Sequence, residues 1–446
     1  MKPEAPPSQS RRSIGKVAIS AALISAAPGR ASSARESKPS ATADGGVVRL
    51  PAGRLDALAA EFYPAFNQAS TLPPFSLARH GARHDVELRR LVTFTTVPET
   101  GEPVEISGLL ATPAGASGRL PTVSWQHGTI LSFDQVPSNL IRLGDPSYRP
   151  SDAGDSLETL FNVHRLAGQG FAVVAVDYLG KGPYRGHRSE AYAVKEASTR
   201  ACIDFYTAGI DAMRSQGLSP SALFLNGWSQ GALNTLWLAQ EFQRTGIGTN
   251  AISAQSPFNN LVDSMRFWCE ALSFGGDKTP AYPSPPIWIS ACLIVLLGSF
   301  RAYYKLDDLF RTAFRPQCLA LAEAYWRDYR LSDELARKMP PPGQLLVEGF
   351  FDRYTADTNS RFLRQLGANS ATYWRYDRPI RLYYGLADEA LHPALVETAL
   401  AAGGPRMEGI AVDRASHRAT FLASLYGDGD SSRGHGTLVD WFNAHV

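Results

Sequence analysis

A serine between two glycines is the residue of this chain whose surroundings best fit a nucleophile. It lies in the string Gly227-Trp228-Ser229-Gln230-Gly231, between the apolar run SALFLN and the helix-like run ALNTLWLAQEFQRT. A strand, a tight turn and a helix in that order present a serine hydroxyl at the end of a sheet, and the glycines let strand and helix approach closely. The bare string alone is weak evidence, so its flanking elements carry the prediction. We expect Ser229 to be a nucleophile and Gly227 and Gly231 to form its elbow.

Two later strand-like runs lead to residues that could activate this serine. A serine hydroxyl needs a base to take its proton and an acid to orient that base. The apolar run 380–384 leads to Asp388, and the run 409–412 leads to His417. We therefore predict Asp388 as the acid and His417 as the base of an acyl-transfer reaction.

Other residues of the same types leave alternatives open. Glu389 or Asp413 could replace Asp388 as the acid, and His435 or His392 could replace the predicted base. His127 comes before the serine, whereas the base follows it in this arrangement. We expect His127 to anchor a loop.

Attack on a carbonyl also requires two N–H donors for the oxyanion that forms. The residue after the nucleophile, Gln230, supplies one. The other must come from the loop after an early strand, and His127-Gly128-Thr129 follows the strand-like run 122–125. Because Gly128 lets the backbone approach the substrate, we predict the N–H of Thr129 as the second donor.

Alternating strands and helices are expected to hold these residues. Two β-rich runs open the pattern as a hairpin, and short buried strands then alternate with helix-length segments. The strand-like runs are 91–97, 103–112, 122–125, 171–176 and 222–225, and the helical segments include 151–167 and 194–216. This pattern is typical of an α/β fold with a mostly parallel sheet flanked by helices, whose functional loops lie at the carboxyl ends of the strands.

Five strings in a fixed order resemble the α/β-hydrolase superfamily, in particular bacterial lipases and esterases akin to secretory lipases. The strings are SWQHGT, GFAVVAVDYLGKG, GWSQGA, YGLADEALHP and SHRATF, and the likeness covers about residues 90–256 and 375–446. The resemblance implies a triad of Ser229, Asp388 and His417, with oxyanion donors at Thr129 and Gln230. In that superfamily the base more often follows Asp or Gly than a serine such as Ser416, and Arg418 is unusual.

The stretch between the two matched regions is too long for one connection. The strand after the elbow helix is expected to end near Pro257 and the next to begin near Ile380, which leaves roughly 120 residues where one helix is usual. We predict a large, mainly helical cap at 258–374, built around the apolar segment 286–300. Its tryptophans could line an apolar pocket suited to a hydrophobic ester, or could only form the core of the cap itself; they are Trp268, Trp288 and Trp326.

The first 44 residues resemble an export signal. The string SRRSIGK at 10–16 precedes a short apolar run at 17–27 and small residues at 32–34. The apolar run is too short to span a bilayer, as in secretory signals. The arginine pair resembles the twin-arginine signal, with Gly15 in place of an apolar residue. We expect a secreted or periplasmic protein; an ordinary signal peptide and a disordered cytosolic tail are the alternatives.

Composition and charge narrow the class of partner. The chain has 44 basic and 42 acidic residues in 446, a net charge of +2, so it lacks the basic excess of a nucleic-acid binder. We expect a small-molecule or lipid ester as substrate, with transient contact between the cap and a lipid interface. No metal or cofactor is expected. The four cysteines have no metal-site spacing and could form disulfides after export or stay buried and unpaired.

Together these observations predict a secreted serine carboxylic ester hydrolase. The expected organisation is a leader at 1–44, a first core part at 45–257, the cap at 258–374 and a second core part at 375–446. A serine peptidase of the same fold is the first alternative because acyl chemistry is shared. The second is a non-catalytic secreted protein that has kept the fold.

Overall fold

Nine strands form one sheet in the computed structural model, which describes residues 42–269, 272, 274, 283, 285–357, 359–430 and 434–446. The strands are β1 (Thr42–Leu50), β2 (Val86–Thr96), β3 (Pro103–Pro113), β4 (Gly118–Gln126), β5 (Ala172–Val176), β6 (Leu218–Trp228), β7 (Ala251–Gln255), β8 (Ile380–Gly385) and β9 (Met407–Val412). Their order in the sheet is β1-β2-β3-β5-β4-β6-β7-β8-β9. The pairs β1/β2, β2/β3 and β3/β5 are antiparallel, and the other five pairs are parallel. The predicted mostly parallel sheet is confirmed.

Helices connect the strands. The α-helices are α1 (Ala52–Phe66), α2 (Leu77–His80), α3 (Leu157–Arg165), α4 (Lys195–Ser215), α5 (Gln230–Thr245), α6 (Leu261–Trp268), α7 (Trp288–Tyr304), α8 (Leu309–Ala313), α9 (Pro316–Asp328), α10 (Asp333–Lys338), α11 (Pro342–Leu345), α12 (Phe350–Ala356), α13 (Arg361–Asn369), α14 (Pro393–Gly403), α15 (His417–Tyr426) and α16 (Leu438–Asn443). Two 3-10 helices span Pro137–Gly144 and Ala167–Gln169. Helices α3, α4, α5, α14 and α15 pack on the sheet. In the chain, α6 to α13 connect β7 to β8.

The sheet separates two apolar cores. Along β5, Val174 belongs to the core formed with α4, α5 and α7, whereas Val173 and Ala175 belong to the core formed with α1, α3, α15 and α16. Successive side chains of a strand point to opposite faces, so a strand covered on both sides is apolar throughout. All five residues of β5 are buried accordingly.

The first strand begins earlier than the predicted end of the leader at residue 44. Strand β1 begins at Thr42, inside the segment assigned to the leader, and pairs with β2 at the edge of the sheet. The remaining 41 residues of the predicted signal lie outside the described residues.

The apolar segment at 286–300 forms most of α7, and every residue from Ile289 to Phe300 is buried. Trp326 of α9 packs against Gly298 of α7, where a Cβ would lie 2.3 Å from the indole ring. Among the described residues, no helix is long and apolar enough to cross a membrane. The apolar segment is therefore the core of the helical insertion.

Three of the cysteines are buried thiols without a disulfide: Cys202, Cys292 and Cys318. Burial raises the pKa of Cys202 and of Cys292. The described part of the chain holds no cluster of three or more His, Cys, Asp or Glu side chains that could bind a metal ion.

Candidate active site

Ser229 occupies the tight turn between β6 and α5. Its backbone has φ 57° and ψ −119°, a conformation that residues with a side chain rarely adopt. Such a conformation costs about 1–3 kcal/mol and persists where the surroundings hold it. Here the N–H of Ser229 donates to the carbonyl of Gln255 at 2.9 Å, and the carbonyl of Ser229 accepts from the N–H groups of Ala232 and Leu233 in the first turn of α5. The turn is thus fixed from the neighbouring strand and from the helix.

The two flanking glycines are required by the close approach of strand and helix. A Cβ at Gly227 would lie 2.3 Å from the carbonyl oxygen of Gly231 and from Oγ1 of Thr235. A Cβ at Gly231 would lie 2.0 Å from the carbonyl oxygen of Gln126 on β4. No side chain fits at either position unless backbone atoms move.

His417 and Asp388 form a buried hydrogen-bonded pair. Nδ1 of the imidazole lies 2.9 Å from Oδ2 and 3.0 Å from Oδ1 of the carboxylate. Oδ1 also accepts from the N–H groups of Ala390, at 3.0 Å, and Leu391, at 2.9 Å. Because a carboxylate only accepts, Nδ1 carries the proton and Nε2 is left as the basic nitrogen.

The surroundings of His417 raise its pKa above the ordinary value. Burial alone lowers the pKa of the imidazole, but the charge of Asp388 and the hydrogen bond to it, together with the charge of Glu389, outweigh that effect. A raised pKa makes the imidazole a stronger proton acceptor, which is what a serine hydroxyl requires.

Ser416, the residue before His417, has a structural role. Ser416 is the N-cap of α15, and its hydroxyl accepts from the N–H of Ala419 at 3.3 Å. His417 is the first residue of that helix, and its own N–H donates to Oε2 of Glu389 at 3.0 Å. The serine that departs from the superfamily pattern therefore caps the helix that carries the imidazole.

Arg418, the second residue that departs from the superfamily pattern, holds the same region in place. Its guanidinium donates to both carboxylate oxygens of Asp152, at 2.8 and 3.0 Å. It also lies over the ring of Phe66, 4.6 Å from the centroid. These contacts fix the start of α15 against the loop that precedes α3.

Ser229 and His417 line one cavity of about 570 Å³. The same cavity is lined by Thr129, by apolar side chains such as Ile130 and Leu331, and by acidic ones such as Glu158. Among the described residues, no hydrogen bond joins the Ser229 hydroxyl to the imidazole. In unliganded sites this bond is often long and shortens when substrate binds.

One of the three tryptophans singled out in the cap faces this cavity. Trp288 lines it, with its ring centroid 6.1 Å from that of His417. Trp268 instead stacks on Phe258 at 4.8 Å, and Trp326 packs on α7 as described above. The sequence prediction of an apolar cap wall thus falls on Trp288, and the other two belong to the packing of the insertion.

The two predicted oxyanion donors lie on the loops that flank the serine. Gln230 is the first residue of α5, so its N–H belongs to the first helical turn, which has no intrahelical acceptor. Thr129 follows β4 and lines the cavity. Between the two loops, Gly128 leaves room for the indole of Trp228, which would lie 2.8 Å from a Cβ there.

The structure separates the rival acids from Asp388. Glu389 reaches only the backbone N–H of His417, not the ring. Asp413 is exposed and pairs with its neighbour Arg414 at 3.3 Å. Of the three carboxylates, Asp388 is the one that forms a hydrogen bond with Nδ1 of His417.

The rival bases have other partners. His392 caps α14, where its Nδ1 accepts from the N–H of Ala394 at 3.2 Å. His435 lines a different cavity and lies 3.5 Å from Glu408. Neither lines the cavity that Ser229 lines.

His127 is part of the loop that carries Thr129. Its Nδ1 lies 2.8 Å from the carbonyl oxygen of Gly128, and its ring stacks on Tyr178 at 4.3 Å. Burial lowers the pKa of His127 well below its ordinary value. A neutral, stacked imidazole of this kind holds a loop.

Sequence reasoning did not find two further features of the site. The first is Glu158 in the cavity wall, where burial raises the pKa of the carboxyl to about 7. The second is a buried ion pair, Lys181 with Glu190, behind the serine. A lysine inside the mostly apolar string GFAVVAVDYLGKG is a signal that could have pointed to it.

Comparison with protein-family models and with curated proteins gives no match. Solved structures do match. A protein from Legionella pneumophila is 19% identical with a TM-score of 0.72, over 92% of this chain and 98% of that one. The rice cell wall degrading esterase LipA from Xanthomonas oryzae is 19% identical with a TM-score of 0.70, over 93% and 100%. Candida antarctica lipase A is 14% identical with a TM-score of 0.54, over 83% and 76%. Together with the sheet order and the turn after β6, these similarities show that this chain has the α/β-hydrolase fold.

Proposed function

We propose that this chain is a serine carboxylic ester hydrolase that acts on hydrophobic esters through an acyl-enzyme intermediate. The observation that carries the proposal is the buried His417–Asp388 pair at the cavity that Ser229 lines from a strained turn. Structures similar to this chain include an esterase and a lipase, which supports ester hydrolysis as the reaction.

The proposed reaction uses each group in turn. Ser229 Oγ attacks the ester carbonyl while Nε2 of His417 accepts its proton, and Asp388 stabilises the imidazolium that forms. The N–H groups of Thr129 and Gln230 bind the oxyanion. The imidazolium then protonates the leaving alcohol, and water, activated by the same base, releases the acid and frees Ser229.

The cavity supports a hydrophobic acyl group. Trp288, Leu331 and Ala336 of the insertion and Ile130 and Leu131 of the core contribute apolar side chains to its wall. An apolar wall around a reacting carbonyl excludes water and strengthens the interactions of the oxyanion. Export to the periplasm or the medium is part of the proposal and rests on the leader sequence alone.

Replacing the nucleophile tests the function. We expect Ser229→Ala to lower kcat for p-nitrophenyl butanoate by roughly 10⁶-fold, because the acyl-enzyme can no longer form. Ser256→Ala is a matched control: Ser256 is also buried with a positive φ of 43° at the end of the neighbouring strand, but it does not line the cavity.

A fluorophosphonate probe should label the wild type and the control and leave Ser229→Ala unlabelled. Substantial ester turnover by Ser229→Ala would refute the assignment. Faster cleavage of a matched anilide than of the ester would favour a peptidase.

A further inference from the structure

A buried ion pair holds the side chain of one oxyanion residue. Nζ of Lys181 lies 2.7 Å from Oε1 of Glu190, and the two side chains are 0% and 1% exposed. The amide of Gln230 bonds to both: its Oε1 accepts from Lys181 at 3.1 Å, and its Nε2 donates to Glu190 at 2.9 Å. Gln230 is therefore held at both ends of its amide group.

A tyrosine of the helical insertion joins this pair to the other oxyanion loop. The hydroxyl of Tyr329, which follows α9, donates to Oε2 of Glu190. The same hydroxyl lies 3.1 Å from the carbonyl oxygen of Ile130, the residue after Thr129. The Tyr329 side chain of the cap thus contacts both Glu190, which bonds to Gln230, and the backbone next to Thr129.

Tyr192 completes the connection. Its hydroxyl lies 2.9 Å from Oγ1 of Thr129. Its N–H donates to Oγ of Ser299 at 3.0 Å, and the hydroxyl of Ser299 donates to the carbonyl oxygen of Glu190 at 2.7 Å. Both oxyanion residues therefore belong to one hydrogen-bonded network that spans core and cap.

Stability alone does not account for this network. Desolvation of two charges can cost more than their attraction returns, and apolar replacements of buried ion pairs are often neutral or stabilising. For Lys181, burial lowers the pKa, against the opposing effect of the Glu190 charge. The ion pair lies beside Gln230, the predicted oxyanion donor, where placement of the donor within about 0.5 Å would matter.

We propose that Lys181, Glu190 and Tyr329 are positioning residues that hold the N–H groups of Gln230 and Thr129 on the oxyanion and so make catalysis depend on the seating of the cap. The inference rests on the proposed ester hydrolysis. Because the network acts on donors that strengthen in the transition state, its loss lowers kcat more than it raises KM.

Removing one hydroxyl tests the proposal. We expect Tyr329→Phe to lower kcat for p-nitrophenyl butanoate by about 10- to 100-fold, since displaced donors cost up to about 10²-fold, with KM within about twofold of the wild type. The inhibition constant of a trifluoromethyl ketone, which forms an oxyanion on the serine, should rise by the factor by which kcat/KM falls.

Tyr303→Phe is the matched control. Tyr303 is also a buried cap tyrosine whose hydroxyl donates to a core carbonyl, that of Ser189, at 3.0 Å, but it contacts neither oxyanion residue. We expect it to leave kcat within about twofold while lowering the unfolding temperature as much as Tyr329→Phe does.

Three outcomes would overturn the proposal: an unchanged kcat in Tyr329→Phe, an equal loss in Tyr303→Phe, or a loss confined to KM. If Tyr329→Phe does not fold, Tyr192→Phe, which removes only the bond to Thr129, carries the same expectation and the same test. A wild type without esterase activity would instead refute the proposed function, before any variant is compared.

Discussion

In the proposed mechanism, the protonation state of His417 sets the pH range in which Ser229 can be activated. The imidazole accepts the serine proton only when Nε2 is neutral, so activity falls as the pH drops below its pKa. The carboxylate of Asp388 at 2.9 Å is what raises this pKa against the opposing effect of burial. The pair therefore sets both the orientation of the base and its acid limit.

We expect Asp388→Asn to change the rate and the pH profile together. Kcat should fall by roughly 10⁴-fold, less than in Ser229→Ala, because an asparagine amide favours the wrong imidazole tautomer. Without the carboxylate charge, burial dominates, so the pKa of His417 should drop and the acid limb of kcat/KM should move to lower pH. A pH–rate series on wild type and variant measures both effects.

The Glu158→Gln variant is the control for this pH profile, because burial raises the pKa of Glu158 to about 7 in the same cavity. The series is repeated in Glu158→Gln, where His417 is left as the titrating group. An acid limb that stays in Glu158→Gln and moves in Asp388→Asn fits the assignment. A limb that disappears in Glu158→Gln would contradict it.

At the scale of elements, the crossing of β4, β6 and α5 fixes the serine. We expect Gly231→Ala to destabilise the protein by about 3 kcal/mol or more, because the new Cβ would lie 2.0 Å from a carbonyl oxygen of β4 and backbone must shift. Denaturant unfolding measures the change.

Gly367→Ala is the matched substitution for this experiment. Gly367 lies in α13 with nothing within 4 Å of its added Cβ, so alanine there should stabilise by about 0.5–1 kcal/mol. Equal effects of the two substitutions would show that the strand and helix do not approach as closely as the structure has them.

The positions of the three candidate site residues could be predicted because each follows an apolar strand-like run. Ser229, Asp388 and His417 follow β6, β8 and β9, whose apolar runs are legible in the sequence. Strand β1 was missed because an edge strand with Gly45-Gly46 in it lacks a buried apolar pattern. The ion-pair and hydrogen-bond partners of Lys181 could not be predicted either, because they lie 9 and 49 positions away in the chain and are brought together by tertiary packing.

The insertion and the core together shape the cavity that Ser229 lines. We expect Trp288→Ala to raise the ratio of kcat/KM for the octanoate over the butanoate ester by about tenfold, because the indole it removes occupies the cavity wall and one further methylene accommodated there is worth about that factor. A ladder of p-nitrophenyl ester chain lengths measures the shift.

Trp326→Ala separates cavity shape from cap stability. Trp326 packs on α7 and does not line the cavity, so its loss should lower the unfolding temperature without changing chain-length preference. A change of preference in Trp326→Ala as large as in Trp288→Ala would mean that general loosening of the cap, and not Trp288, sets selectivity.

Main-chain hydrogen bonds join the cap to the core along one side of the cavity. The N–H of Phe133 donates to the carbonyl of Tyr329 at 2.9 Å, and the N–H of Leu331 donates to that of Leu131 at 3.1 Å. Moving the cap away from the core at this point would break both bonds and the hydrogen bond from the Tyr329 hydroxyl to Glu190. Under the proposed function, we therefore expect an ester to reach Ser229 through a part of the cavity rim away from these two bonds.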